Sequence, residues 1–435
     1  MALHGLTRIL GITLLLAAIA VITTIQNPYF ADAENLSNLL RWTALFGILA
    51  LGVAFVIITG GIDLSIGSVV ALTGIVLMQL LQVTYYDSGE RLTIAALDQE
   101  RSAIVFEQAL PDVAHLDQLA IANPSGGPDL LLTIDVESAV NNVEAKTLLV
   151  NNSVRRLTIG SETKLLRQSY MNPTLAIGIV LLIGVGLGAL HGVLIGYANL
   201  QPFIVTLCGL MGYRGLARLV SNDRPLGVGE HHEAARYLAA GEPMHVPVPM
   251  INAISGGDAA GSVGWVAVPM PLLIFLVLAV LSAIMLHKTV LGRYLLAMGR
   301  NEEAARFSGI DTRKMTLLAY VLCSLLASLG GILFALELNS VQPSSQGNFY
   351  ELYAIAAAVL GGCSLRGGVG SIAGVVVGTL VIRSLYNAIN LMDKPTYWQA
   401  IIIGVVLLAG VMFDEIGRQV VKRVKTRRRK KMLSG

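Results

Sequence analysis

Cysteine is almost absent from this chain: 435 residues hold three, Cys208, Cys323 and Cys363. They stand singly inside apolar stretches, with neither metal-ligand nor disulfide spacing, and read as small core residues. Charge is also scarce. Only 14% of the residues are Asp, Glu, Lys or Arg, against about 25% in a soluble domain. The net charge of +3 says little about partners, and no nucleic acid is expected among them. No Gly-x-x-x-x-Gly-Lys-Ser/Thr occurs, so nothing in the chain cradles ATP phosphates. No Ser/His/Asp or Cys/His pattern marks a catalytic centre, and no catalytic residue is assigned. Scattered acids such as Asp112, Asp117, Asp129 and Asp135 read as a solvated face, and His231, His232 and Glu233 as a surface group. No metal site and no cofactor are expected on this chain.

What is abundant is apolar surface and glycine: 54% hydrophobic residues and 45 glycines, a pairing expected where helices pack closely in lipid. Runs near the roughly 17–25 residues of a span lie at Leu6–Ile25, Leu39–Thr59, Ile62–Val83, Leu175–Ala198, Phe203–Val220, Pro269–Leu286, Met315–Leu336, Leu352–Gly361, Val369–Ile389 and Trp398–Phe413. Some are short and contain glycine, so half-helices are expected among them. The expected fold is an all-α polytopic membrane protein with about ten transmembrane helices.

Two interruptions stand out. Val56-Ile-Ile-Thr-Gly-Gly-Ile-Asp-Leu-Ser-Ile-Gly-Ser68 sets Gly60, Gly61, Asp63 and Ser65 between apolar runs, and Val359-Leu-Gly-Gly-Cys-Ser-Leu-Arg-Gly-Gly-Val-Gly-Ser371 sets Gly361, Gly362, Gly367 and Gly368 in a second break. A polar kink at membrane depth is costly unless the freed backbone lines a cavity or packs on protein. Paired broken Gly-rich hairpins therefore point to transport. Asp63 has two available roles. Its carboxylate, assisted by Ser65, caps the helix after the break, or it lines the path or takes up a proton. The cap is the favoured reading, since one side chain then satisfies freed N–H groups. Arg214, in an apolar run, is read as a snorkelling or paired structural cation, Arg366 as an inner-side anchor, and Pro202-Phe203 as a re-entrant turn.

Short basic loops set the orientation. The tail from Arg418 holds Lys422, Arg423, Lys425, Arg427, Arg428, Arg429, Lys430 and Lys431, and the loop 288–314 holds Arg293, Arg300, Arg306 and Arg313. Both are expected to be cytoplasmic, and the even number of spans between them agrees. The N-terminus then lies inside, and the polar intervals 84–172 and 221–268 outside. Arg8, the first apolar run and Ala31-Asp-Ala33 also fit a cleaved signal; the run is long for one, and a retained first helix is expected.

The expected organisation is 1–83, N-terminal helices with the first hairpin; 84–172, an outer insertion; 173–417, the remaining helices with the loop 288–314; and 418–435, a basic tail. The insertion reads as β-rich, with short strands at Arg91–Leu97, Ser102–Glu107, Asp129–Val136, Lys146–Val150 and Arg156–Gly160 between turn formers at 123–128 and Asn151-Asn152. In the loop 288–314, Asn301 can cap a short helix with Glu302 and Glu303 in its first turn, and Gly309 can end it. Such a helix either docks a soluble partner or lies on the membrane surface without one.

These residues resemble a known family, the sugar-type ABC transporter permeases of the ribose/xylose/galactose branch. Gly292 to Ile310 is similar to their cytoplasmic coupling loop, and Gly60 to Gly67 to their Gly-Gly-Ile-Asp-Leu-Ser-Val-Gly motif. Gln201-Pro-Phe-Ile-Val-Thr-Leu207 with Gly209 to Ala217 is similar to their Pro-Phe-Ile-Val-Thr-Leu…Arg-Gly segment, and Gly361 to Ser371 to their second Gly-rich hairpin. The resemblance covers nearly all of the membrane portion. It implies a permease in the bacterial inner membrane, multi-pass with both termini cytoplasmic, that pairs with a second copy or a paralogue. It also implies two ABC ATPase subunits carrying ATP and Mg, and a periplasmic sugar-binding protein. On it, Asn301, Glu302, Glu303, Ala304, Ala305, Arg306 and Gly309 couple to the ATPase, while Gly60, Gly61, Asp63, Ser65, Pro202, Phe203, Thr206, Gly361, Gly362, Gly367 and Gly368 form the path or its hairpins. The 84–172 insertion departs from the short outer loop expected of the family. A stand-alone secondary transporter or channel is the rival reading, favoured by Asp63 as an ion site and disfavoured by a docking loop without a purpose. A membrane-anchored sensor would not need so many spans.

Overall fold

Every apolar run before residue 392 forms a helix in the computed structural model. The structure describes residues 2–98, 103–108, 118–121, 130–133, 147–149, 159, 162–229, 232–249, 263–392 and scattered positions from 397 to 412. The chain divides into two compact units, Leu80–Asn172 and the remainder.

In the larger unit, α1 (Ala2–Gln26) leads through a turn capped by Asn27 into α2 (Ala33–Ile58), whose N-cap Asp32 accepts from the Glu34 N–H. From Ala44 to Ile58 every residue of α2 is buried, as expected of a helix that is apolar all round. After the first break comes α3 (Ile66–Leu80). The chain resumes with α4 (Pro173–Gly196), α5 (Pro202–Val220) and the short α6 (Glu233–Ala240). Then follow α7 (Met270–Lys288), α8 (Val290–Arg300), α9 (Glu302–Phe307), α10 (Thr312–Leu338), α11 (Tyr350–Leu360) and α12 (Ile372–Leu391). Among the described residues, α2, α4, α5, α7, α10 and α12 are long and apolar enough to cross a membrane; α3, α11 and the Leu10–Gln26 part of α1 are shorter apolar helices. Half of the Trp398–Phe413 run lies outside the described residues, and the 418–435 tail wholly so.

Helix α2 is central, packing against α7, α10, α11 and α12. Helix α4 lies along α10 through Gly184, Gly188, Gly192 and Gly196, one residue per turn of one face. A side chain on these glycines would meet Ser328, the Tyr320–Val321 backbone, Leu317 and the Arg313 carbonyl respectively. This is the small-residue seam that lets helix backbones approach in lipid. By contrast α4, α5 and α7 expose most of their apolar surface, with Leu182, Met211, Leu219 and Val277 all open. Cys208 is exposed as well, which corrects its reading as a core residue; Cys323 and Cys363 are buried.

The interval 221–268, read from sequence only as a polar loop, holds α6 and a hairpin of β7 and β8, numbered after the strands of the smaller unit. β7 (Met244–Pro249) pairs antiparallel with β8 (Val263–Val268). Pro247 and Pro249 hid β7, because proline demotes a strand pattern except at an edge, and a two-stranded ribbon has only edges.

The smaller unit is an antiparallel six-stranded sheet of β1 (Thr84–Asp98), β2 (Ala103–Phe106), β3 (Gln118–Ile121), β4 (Leu130–Thr133), β5 (Thr147–Leu149) and β6 (Glu162–Ser169), in the order β4-β3-β6-β1-β2-β5. Leu92 and Ile94 alternate inward against Ile104 and Phe106, the period-two burial of a strand. The strand expected at Arg91–Leu97 lies within the longer β1, and those expected at Ser102–Glu107, Asp129–Val136 and Lys146–Val150 contain β2, β4 and β5. Arg156–Gly160, the turns at 123–128 and Asn151-Asn152, the four acids named above and His231 lie outside the described residues, apart from Ile159.

Candidate translocation and coupling site

The first break is held open by its own side chains. Ile62 to Ser65 are non-helical, and α3 starts only at Ile66. The Ser65 N–H and hydroxyl both donate to Asp63 Oδ1, at 2.9 and 2.7 Å, while the Ser65 carbonyl accepts from the Val69 N–H at 2.9 Å. Ser65 is thus the N-cap position of α3, and Asp63, two residues earlier, clamps that position rather than capping the N–H groups of the first helical turn. Asp63 is only 1% exposed. Its Oδ2 is buried without a hydrogen-bond partner, and the Cys323 thiol, a weak donor, neighbours the carboxylate.

Around this clamp α4, α5 and α10 contribute a buried polar layer. The Tyr320 hydroxyl donates to the Ile62 carbonyl at 3.2 Å, and Thr206, fully buried, donates to the Pro202 and Ile62 carbonyls at 2.9 and 3.4 Å. His191 of α4 stacks on Tyr213 of α5, with its Nε2 2.9 Å from the tyrosine hydroxyl. Gly209 sits against the His191 ring and Ser65, where a side chain would collide. Pro202 and Phe203 do not form a turn. They open α5, proline fitting the first helical position because its missing N–H is one the helix leaves unpaired anyway; Phe203 is exposed. Arg214 donates to the Pro343 carbonyl at 3.3 Å and to the Gln346 carbonyl, so it is paired with the 341–349 loop.

The second break and the loop 288–314 meet the first. The Gly368 N–H donates to the carbonyl of Ile58, the last residue of α2, at 2.8 Å, and Arg300 Nε donates to the Gly368 carbonyl at 3.3 Å. A side chain on Gly299 would strike the Ile58 carbonyl and the Gly368 nitrogen; one on Gly367 would strike Gly299 and the Gly60 nitrogen. Gly60 and Gly368 have φ of +88° and +72°, a region that glycine enters without strain. Gly361 packs on Gly374 and Gly378, closing α11 onto α12, and Gly362 follows it in the turn. The end of α8 therefore touches both glycine breaks, through the Gly299 backbone and the Arg300 side chain.

Beyond Arg300 the chain turns at Asn301, whose side chain accepts from the Ala304 N–H at 2.9 Å. It forms α9 and closes with the Gly309 and Ile310 N–H groups donating to the Arg306 and Ala305 carbonyls. Glu302, Glu303, Ala304, Arg306 and Gly309 are exposed, and Phe307 is 80% exposed. Ala305 is buried, so it seats α9 on the protein rather than offering surface. At the start of α10, the Lys314 N–H and ammonium hold the Asp311 carboxyl below its ordinary range.

Over residues 35–411 the chain matches the family model described as branched-chain amino acid transport system / permease component. The chain belongs to this permease family. The permease is 31% identical to the ribose import permease protein RbsC of Escherichia coli K12, over 92% of this chain and 91% of the relative. It is 29% identical to RbsC of Bacillus subtilis 168, over 94% of each. It is 28% identical to the xylose transport system permease protein XylH of Escherichia coli K12, over 93% and 90%. No solved structure matches it. It is thus a multi-pass membrane permease component, and its glycine breaks and the α8–α9 loop all lie within the matched span.

Sequence reasoning passed over His191, Tyr213, Tyr320 and Arg383. The signal for His191 and Arg383 was available: each is an ionisable residue inside an apolar run, rare enough in a span to mark a site. Among the described residues no group of acidic, histidine and cysteine side chains has the arrangement of a metal site.

Proposed function

We propose that the chain is the membrane subunit of a binding-protein-dependent importer in the bacterial inner membrane. It passes a monosaccharide inward by alternating access, driven by ATP with Mg hydrolysed on partner ABC ATPase subunits. A second copy or a paralogue completes the path, and a periplasmic sugar-binding protein delivers the cargo. Both termini, with the 418–435 tail, are cytoplasmic, and 84–172 is an outer unit. The observation that carries this reading is the similarity to ribose and xylose import permeases over nine-tenths of the chain. The geometry of α9 supports the coupling role. Its exposed first-turn acids and Phe307 offer a soluble partner a charged and aromatic foothold, and the preceding α8 ends against both glycine breaks. Co-purification of the chain with an ABC ATPase subunit tests the reading; a chain that transports while binding no such subunit contradicts it.

The rival, a stand-alone secondary transporter, draws on one observation, the buried Asp63 oxygen without a partner. Ion-gradient dependence of uptake would favour it.

A further inference from the structure

Away from the glycine breaks, the first half of α2, the start of α11 and the second half of α12 enclose a cavity of about 420 Å³, inside the range of about 300–1,000 Å³ typical of small-molecule sites. Its wall includes Arg383, a cation in a membrane-length helix and only 8% exposed. Among the described residues no carboxylate pairs with Arg383, and its Nε has no hydrogen-bond partner. Three aromatic faces hold the guanidinium instead: Tyr386 at 4.4 Å, Phe46 at 4.7 Å and Trp42 at 5.6 Å from its carbon to the ring centroids. Cation–π contacts compensate part of the desolvation but leave donors unused, and an unused buried donor is expensive. The rim is different in kind: Asn38, Asn348 and Asn390 are exposed amides, the last accepting from Gln399 Nε2 at 2.6 Å, and Asn387 is fixed by exchanging hydrogen bonds with Asn35 at 2.7 and 3.1 Å.

We propose that this cavity is a sugar-binding site on the permease itself, where a monosaccharide lays its C–H face on the Trp42 and Phe46 rings and gives its oxygens to Arg383 and the rim amides. The lining selects this class over an anion. An amide both donates and accepts, and so does a hydroxyl, whereas an anion only accepts and would face the amide oxygens of Asn38 and Asn348 with nothing to offer them. The lone cation is already spread over ring faces, unlike the clustered arginines and lysines of anion sites. The placement also fits a path. α2, α11 and α12 carry the glycine breaks at their far ends, and about 18 Å of helix separates Phe46 from Ile58. This inference rests on the proposed function, since it takes that cargo as the ligand.

Trp42 reports on the site directly. The chain has three tryptophans, so Trp265→Phe with Trp398→Phe leaves Trp42 alone in the full-length chain, in lipid nanodiscs. D-ribose, D-xylose and inorganic phosphate are the probes. The expected result is a saturable change in Trp42 emission with a pentose and none with phosphate. Asn348→Leu, on the exposed rim, should weaken that response about tenfold for the lost hydrogen bonds, and Arg383→Gln should abolish it. A response to phosphate alone, an equal response in Asn348→Leu, or none to either pentose overturns the site. Uptake by the wild-type chain with its ATPase and binding protein separates the two readings. Pentose uptake without a Trp42 response sinks the cavity and leaves the importer standing; absence of ATP-driven pentose uptake counts against the importer itself.

Discussion

The Gly368 N–H reaches the Ile58 carbonyl at 2.8 Å, and this one bond ties the second glycine break to the end of the helix that precedes the first. Gly299 closes on both from the third side, near enough that no side chain fits there. Two hairpins 300 residues apart in sequence and the end of α8 thus form one backbone junction. Arg300 Nε adds a bond to the Gly368 carbonyl, and α9 begins two residues later, at Glu302.

If α9 docks an ATPase, Glu303→Arg leaves the fold intact, because the residue is exposed and makes no internal contact that the helix needs, Asn301 supplying the cap. It reverses a charge in the first turn, where the dipole favours acids by about 0.3–1 kcal/mol, so only a small loss of stability is expected. Transport-linked ATP hydrolysis should fall to the basal level at matched expression. Wild-type coupling in this variant removes the docking role.

The clamp at the first break separates the readings of Asp63. Asn keeps the oxygen that accepts from Ser65, so Asp63→Asn retains most transport and stability. Asp63→Leu loses both Ser65 bonds and is expected to cost about 0.5–2 kcal/mol, the range for losing a helix cap. Thermal unfolding in detergent together with uptake decides it: a stable but inactive Asp63→Asn protein transfers the residue to a proton or path role.

Gly299→Ala puts a methyl group against the Ile58 carbonyl and the Gly368 nitrogen. Backbone cannot yield as a side chain does, and overpacking of this kind costs about 1–3 kcal/mol. Gly186→Ala in α4 is the control, since nothing lies within 4 Å of the added carbon. Melting should drop for the first and hold or rise for the second. Equal melting temperatures would mean that the junction is loose.

Much of this was legible in the sequence. Long apolar runs forced the helices, and Gly-Gly pairs beside Asp63 and Arg366 forced the breaks, because no other residues turn a chain so cheaply at that depth. Asn301, Glu302 and Glu303 spelled the start of α9. What the sequence withheld were the meetings. Nothing in one dimension says that Gly299 reaches Gly368, or that Thr206 and Tyr320 both donate to Ile62. Arg383 was visible as a charge in an apolar run, but its aromatic surroundings come from α2 and α12 together. β7 was hidden by its prolines.

The unit at 84–172 has its own sheet and core. Joining about Val83 to Pro173 with a short flexible linker should leave the helical unit able to insert and to bind its ATPase. Stimulation by the outer binding protein should weaken, and protease added from the outer side should cut the intact chain within the unit. Cleavage only from the inner side overturns the orientation, and unchanged stimulation denies the unit a part in docking.

Uptake into proteoliposomes tests the central claim most directly: the chain, its ATPase, the binding protein on the outer face and Mg-ATP at the ATPase face, with labelled ribose and xylose as cargo. The account predicts accumulation of one of the sugars that needs ATP, the ATPase and the binding protein together, and that survives collapse of ion gradients. Gradient-driven uptake by the chain alone, indifferent to ATP, would contradict it.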